Sequence, residues 1–172
     1  EDFANSNFIE AIKYFKKAYN TITSVSEASE LKSTILMQMA QTQAYGGEIQ
    51  EAKNNIDKVS VLIKDYPDAD YDMGLYWYIK AKILLMEGKY KQALDAVEQN
   101  IKAESHMAQD VFTAPTYILK SEILNYQEQY KNSYRIIKKI VEQEKDSGFD
   151  DHEVKARMLT QLSRAELGLG QI

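Results

Sequence analysis

One short run in this sequence has residue types that could bind a metal ion. It reads Asp150-Asp151-His152-Glu153, and histidine and carboxylates are both metal ligands. Its His-Glu pair opens the His-Glu-x-x-His pattern of zinc proteases, but the second histidine of that pattern would fall at Ala156. The pattern therefore fails, and we interpret the run as a helix N-terminus, where negative charge is favourable.

A second group of carboxylates, Asp68, Asp70 and Asp72, is spaced like the start of a calcium-binding loop. The glycine of such a loop is misplaced at Gly74, and the position of its last ligand is Ile79. These aspartates are therefore also interpreted as helix-capping residues.

Nucleophilic catalysis has no candidate residues. The sequence contains no cysteine, no Gly-x-Ser-x-Gly segment and no Gly-x-x-x-x-Gly-Lys loop, and His106 is interpreted as an ordinary linker residue. The sequence predicts a protein that is not an enzyme, with no catalytic residue, no metal site and no cofactor.

Composition limits the fold class and the kind of partner. Of the 172 residues, 44% are hydrophobic and 27% charged, and only two are proline, which favours a single helical domain. The formal net charge of −5 argues against nucleic acid as the partner, and no apolar run is long enough to span a membrane. Absence of cysteine leaves the compartment open, with the cytoplasm favoured over the periplasm. The sequence begins with Glu1, and we expect it to be a piece of a longer protein.

An internal repeat organises the whole chain. Four segments place a small residue three positions after a large apolar one, with spacings of 41, 41 and 40 residues. They are Phe8-Ile9-Glu10-Ala11, Ile49-Gln50-Glu51-Ala52, Tyr90-Lys91-Gln92-Ala93 and Tyr130-Lys131-Asn132-Ser133.

A turn is predicted before each segment and once more near the end of the chain, because glycine supplies the positive φ that ends a helix. The predicted turns are Asn5-Ser6-Asn7, Gly46-Gly47-Glu48, Glu87-Gly88-Lys89, Gln127-Glu128-Gln129 and Gly168-Leu169-Gly170. Apolar residues between them recur at three- and four-residue spacing, which predicts amphipathic helices. The predicted helices lie near residues 7–22, 28–45, 48–64, 70–87, 89–104, 111–126, 129–145 and 151–168.

Local signals support these boundaries. Ser24 and Glu27 form a capping box, Tyr66-Pro67 separates two helices, and Pro115 is expected in the first turn of its helix.

The stretch Gly88, Tyr90 and Ala93 resembles the tetratricopeptide (TPR) repeat family. Small residues that recur seven positions before each turn, and aromatic residues four positions before two of them, agree with this resemblance. These are Ala40, Ala81, Ser121 and Ser163, with Trp77 and Tyr117. The period exceeds the usual 34 or so residues, as in the lengthened repeats of kinesin light chain, MalT-like and Rap-type proteins.

The resemblance implies an all-α fold of about eight helices, in which antiparallel hairpins stack as a right-handed α-solenoid. It divides the single domain 1–172 into a half-repeat 1–27, hairpins 28–67, 68–107 and 108–148, and a half-repeat 149–172.

The resemblance also implies a concave groove lined by the first helix of each hairpin. Counting back from Gly47, Gly88, Glu128 and Gly170 gives the expected partner-binding residues. These are Met37, Gln41, Tyr78, Lys82, Ile118, Glu122, Asn125, Arg157, Thr160 and Arg164. Trp77 is expected in the core.

The sequence therefore predicts a non-catalytic module that binds a protein or a peptide in this groove. One alternative is a sensor or regulatory segment of a larger bacterial signalling or transcription-regulating protein. Another is a self-assembling scaffold, in which exposed terminal helices form a homo-oligomer.

Overall fold

The computed structural model describes residues 2–23, 28–65, 70–105, 114–147 and 151–171. This part of the chain is made of α-helices and one short 3-10 helix, and it contains no strand. The α-helices are α1 (Asp2–Ile22), α2 (Ser29–Tyr45), α3 (Ile49–Leu62), α4 (Asp70–Met86), α5 (Tyr90–Glu104), α6 (Ala114–Tyr126), α7 (Tyr130–Ser147) and α8 (His152–Gly168), and the 3-10 helix is Ile63–Asp65. The predicted all-α class and the count of eight helices are confirmed. Within the described ranges, none of the helices combines the length and the hydropathy that a membrane span requires.

Four of the five predicted turns are present and share one geometry. The backbone φ angle is positive at Gly47 (83°), Gly88 (72°), Glu128 (58°) and Gly170 (67°). The amide that follows each of them donates to a carbonyl five residues earlier, at 2.8 to 3.0 Å, as in a Schellman C-cap.

The fifth predicted turn, Asn5-Ser6-Asn7, is wrong because α1 continues through it. This segment lacks a glycine. Lack of glycine alone does not prevent a turn, as Glu128 shows, but asparagine and serine lower helix stability only modestly, so α1 can continue through them.

Two local predictions about helix starts are confirmed. Pro115 is the second residue of α6, in its first turn. The Asp151 carboxylate caps α8, because its Oδ1 accepts from the amides of Glu153 at 2.9 Å and Val154 at 3.1 Å. The predictions for Ser24 with Glu27, Tyr66-Pro67, Asp68, His106 and Asp150 concern residues outside the described part of the chain.

The core consists of three clusters of buried side chains along the chain. The first joins α2, α3 and α4, the second α4, α5 and α6, and the third α6, α7 and α8. Because α4 and α6 each contribute to two clusters, the helices stack in sequence order.

Small residues allow α2, α4 and α6 to pack closely against the helix that follows each of them. The pairs are Ala40 with Ala52, Ala81 with Ala93 and Ser121 with Ser133, and all six side chains are fully buried. The two serines satisfy each other, with 2.6 Å between their Oγ atoms, so serine replaces alanine without leaving a buried hydroxyl unpaired.

Candidate functional site

A cleft with a volume of about 600 Å³ opens between α2, α4, α6 and α8. Its lining residues are Tyr45, Lys82, Leu85, Met86, Gly88, Tyr90, Glu122, Tyr126, Glu153 and Arg157. The volume lies within the range of roughly 300–1,000 Å³ that is usual for ligand pockets. The lining combines aromatic and apolar surface with charges of both signs.

The repeat explains why these side chains meet. Tyr45, Met86 and Tyr126 are the last residues of α2, α4 and α6, and they are 41 and 40 residues apart. Lys82 and Glu122 are also 40 residues apart, one helical turn earlier. Equivalent positions of successive repeats therefore form rows across the cleft.

Lys82 is the most constrained charged group of the cleft. Its Nζ donates to the Tyr45 hydroxyl and lies 4.2 Å from the centre of the Tyr45 ring and 5.4 Å from that of Tyr78. Aromatic faces attract a cation in this position. The pKa of Lys82 is lowered to about 8, first by burial and then by positive Arg157, while Glu122 and Glu153 oppose the shift.

The charged groups of the cleft are not paired with one another. The ion pairs in the described part of the chain are Lys53–Glu87, Lys89–Glu87 and Lys120–Glu98, and none includes a residue of the cleft. Lys82 and Arg157 therefore place two positive charges in one cleft that also contains Glu122 and Glu153, with which they form no ion pair. Such an arrangement can bind an anionic group.

Aromatic rings form one side of the cleft. Tyr90 and Tyr126 stack with 5.6 Å between ring centres and 9° between planes. The Arg164 guanidinium of α8 lies 5.9 Å from the Tyr126 ring centre. This side offers flat apolar surface beside the charged groups.

The structure brings several of the expected groove residues together. Lys82, Glu122 and Arg157 line the cleft. Tyr78 is half-buried beside Lys82, and Arg164 contacts Tyr126.

The other expected groove residues lie elsewhere. Met37 and Ile118 are fully buried in the first and third core clusters, so they present no surface to a partner. Asn125 is 8% exposed and donates to the backbone and side-chain oxygens of Gln161, so it joins α6 to α8. Gln41 is half-buried on α2, and Thr160 is exposed on α8, outside the cleft lining.

Sequence reasoning missed most of the aromatic and apolar lining. The positions of Tyr45, Met86 and Tyr126 lie two residues before the residue with positive φ. Their recurrence at the repeat period was a usable signal. Trp77, expected in the core, is half-buried and packs against the first two core clusters.

A separate polar network lies between α5 and α6. The Thr116 hydroxyl donates to Glu104 Oε1 at 2.7 Å and accepts from Asn100 Nδ2 at 2.8 Å. Burial raises the pKa of Glu104, and the hydrogen bonds from Thr116 and Asn100 partly offset this effect. The network joins two neighbouring helices and is not part of the cleft lining.

No protein-family model and no curated protein matches the sequence. Two solved structures with similar folds are crystal structures of a Podosopora anserina putative kinesin light chain with nearly identical TPR-like repeats, one of them a variant. Their TM-scores are 0.71 and 0.69 at 13% identity, and each alignment covers 97% of this chain and 81% of the other. This similarity confirms the predicted TPR-like fold, while the likeness to MalT-like and Rap-type proteins stays a prediction.

Proposed function

We propose that this TPR-like chain is a non-catalytic interaction module that binds a peptide segment of a partner protein in the cleft between α2, α4, α6 and α8. The observation that carries the proposal is the pair of cations, Lys82 and Arg157, which share the cleft without an ion-pair partner. Three of the expected groove residues line this cleft, namely Lys82, Glu122 and Arg157. They come from three different helices, as a binding surface built from repeats requires.

The chemistry of the lining defines the segment. A carboxylate of the peptide lies between Lys82 and Arg157, where a charge-assisted hydrogen bond is stronger than one between neutral groups. An apolar or aromatic side chain of the peptide packs against Tyr126 and Met86, which are both about half exposed. The cleft volume accommodates a few residues of an extended chain.

Selection from a random-peptide library on the immobilised chain tests this function without a known partner. Enriched peptides are then measured by fluorescence anisotropy against the wild type and the double variant Lys82→Gln with Arg157→Gln. We expect carboxylate-bearing peptides whose dissociation constants rise at least about tenfold in the variant, which corresponds to about 1.4 kcal/mol.

The matched control is Lys91→Gln with Lys102→Gln, which removes the same charge from exposed positions of α5. The control should bind like the wild type. Equal binding by wild type and cleft variant, with both variants folded by circular dichroism, would reject the cleft as the binding site.

A further inference from the structure

The outward side of α7 has a charge pattern that the repeat does not require. Residues 131–139 contain Lys131, Arg135, Lys138 and Lys139 and no acidic residue, so their formal charge is +4. The corresponding stretches of α1, α3 and α5 are residues 9–17, 50–58 and 91–99, with formal charges of +2, 0 and −1. Equivalent stretches of the four helices thus carry very different charges, so the fold itself does not require the cations of α7.

The four cations project from one face of the helix. Arg135, Lys138 and Lys139 follow Lys131 by four, seven and eight residues, so all four lie within about 12 Å along the helix axis. All four side chains are exposed, and together with Asn132, Tyr134 and Glu142 they line a depression of about 340 Å³. We call this surface the α7 basic face.

The α7 basic face forms no ion pair within the described part of the chain, although Glu142, which lines the same depression, and Glu166 favour the charged form of Lys138. None of its four cations belongs to an ion pair there, and the Lys138 ammonium donates instead to the Tyr134 hydroxyl at 3.1 Å. Like charges four residues apart weaken a helix, so this arrangement reduces helix stability slightly. Four cations without an ion pair on one helix face, in a chain whose net charge is −5, favour the binding of an external anion there.

We propose that the α7 basic face is a second docking surface, which binds an acidic peptide segment of a partner protein. The guanidinium of Arg135 and three ammonium groups match carboxylates spaced along an extended or helical peptide. This surface is formed by α7 alone, and the cleft by other helices, so the proposal does not depend on the function of the cleft.

The size and surroundings of the face favour a peptide over larger polyanions. A nucleic acid duplex or an anionic bilayer would extend beyond about 12 Å and meet the remaining surface, which is strongly acidic overall. Among the described residues, α7 also presents no exposed large hydrophobic side chain that could enter a bilayer. A short acidic peptide meets neither obstacle.

The test is fluorescence anisotropy with a labelled synthetic peptide in which Glu and Ser alternate, measured at low and at high salt. The variant replaces Lys131, Arg135, Lys138 and Lys139 with Gln, which preserves helix propensity. We expect its dissociation constant to be at least tenfold higher than that of the wild type. We also expect wild-type affinity to fall as salt rises, because screening weakens interactions between exposed charges.

The matched control removes four exposed lysines from other outward positions: Lys13, Lys16, Lys17 and Lys91, each replaced with Gln. It should bind the peptide within about twofold of the wild type. An equal loss in both variants would overturn the proposal, because attraction would then follow net charge alone. Tighter binding to phosphatidylserine vesicles or duplex DNA than to the peptide would also overturn it.

Discussion

At the scale of single residues, Lys82 lowers the stability of the folded chain, and the proposed function gives it a role in binding. The folded chain holds the pKa of this lysine at about 8, below its ordinary value of 10.5, first because of burial and then because of Arg157. Charged Lys82 therefore destabilises the empty protein at neutral pH. A ligand carboxylate would relieve this cost, which is typical of a binding group that is kept at the expense of stability.

The sign of the pH dependence follows from this lowered pKa. Between about pH 8 and 10.5 the unfolded chain keeps the Lys82 proton while the folded chain releases it, so the free energy of unfolding should gain a contribution that increases with pH. At pH 7 Lys82 is protonated in both the folded and the unfolded chain, so its full destabilising effect on folding is present. We expect Lys82→Met to raise the free energy of unfolding at pH 7 by about 1–2 kcal/mol, allowing for solvent screening.

Urea unfolding at several pH values between 7 and 10 measures this effect. The advantage of Lys82→Met over the wild type should shrink as pH approaches 10. Lys91→Met, on the exposed side of α5, is the control and should show no such trend. An advantage that stays constant or grows with pH would contradict the assigned pKa.

At the scale of the elements, the turn between α6 and α7 is the strained member of its set. Glu128 has a φ of 58°, where Gly47, Gly88 and Gly170 occupy the equivalent positions of the other turns. A side chain in this left-handed region costs roughly 1–2 kcal/mol, part of which glycine loses again through unfolded-state entropy. We expect Glu128→Gly to raise the free energy of unfolding by about 1 kcal/mol.

Gly88→Ala is the reciprocal variant. A Cβ at this position would have no heavy atom within 4 Å, so the substitution tests backbone conformation alone. It should lower the free energy of unfolding by about 1 kcal/mol. Thermal unfolding measures the stability of both variants. A change of the same sign in Glu128→Gly and Gly88→Ala would refute the explanation by backbone strain.

The elements also show how far the sequence alone could lead. The repeat predicted the second to the eighth helix closely, because glycine turns and apolar residues at three- and four-residue spacing act locally. The repeat could not predict how deeply each side chain is buried. Lys82 and Glu122, six residues before their turns, line the cleft, whereas Gln41 at the same position does not, and Met37 and Ile118, ten residues before their turns, are fully buried.

The reason is where the cleft lies along the helices. In α2, α4 and α6 its lining residues all come from the last five residues of each helix. One helical turn further back, at Met37 and Ile118, neighbouring helices already cover the surface. Which helix covers which face depends on packing between repeats, and no single repeat contains that information.

At the scale of the whole molecule, the three core clusters suggest how stability is distributed. Every substantial helix contact in the described part of the chain joins helices that are first or second neighbours in sequence. The stability of such an array approximates a sum of repeat and interface terms, so distant parts can open separately. Ile56 and Ile137 occupy equivalent positions in the first and third clusters, and are 2% and 0% exposed.

This matched pair tests the distribution by native-state hydrogen exchange. Ile137→Ala removes buried apolar surface worth about 2–5 kcal/mol and should lower the protection of amides in α7 and α8, with a smaller effect in α2 and α3. Ile56→Ala should give the opposite pattern. If either variant lowered protection equally in all helices, the chain would unfold as one cooperative unit, and a ligand in the cleft could then stabilise α3 as strongly as α8 although it contacts only the latter.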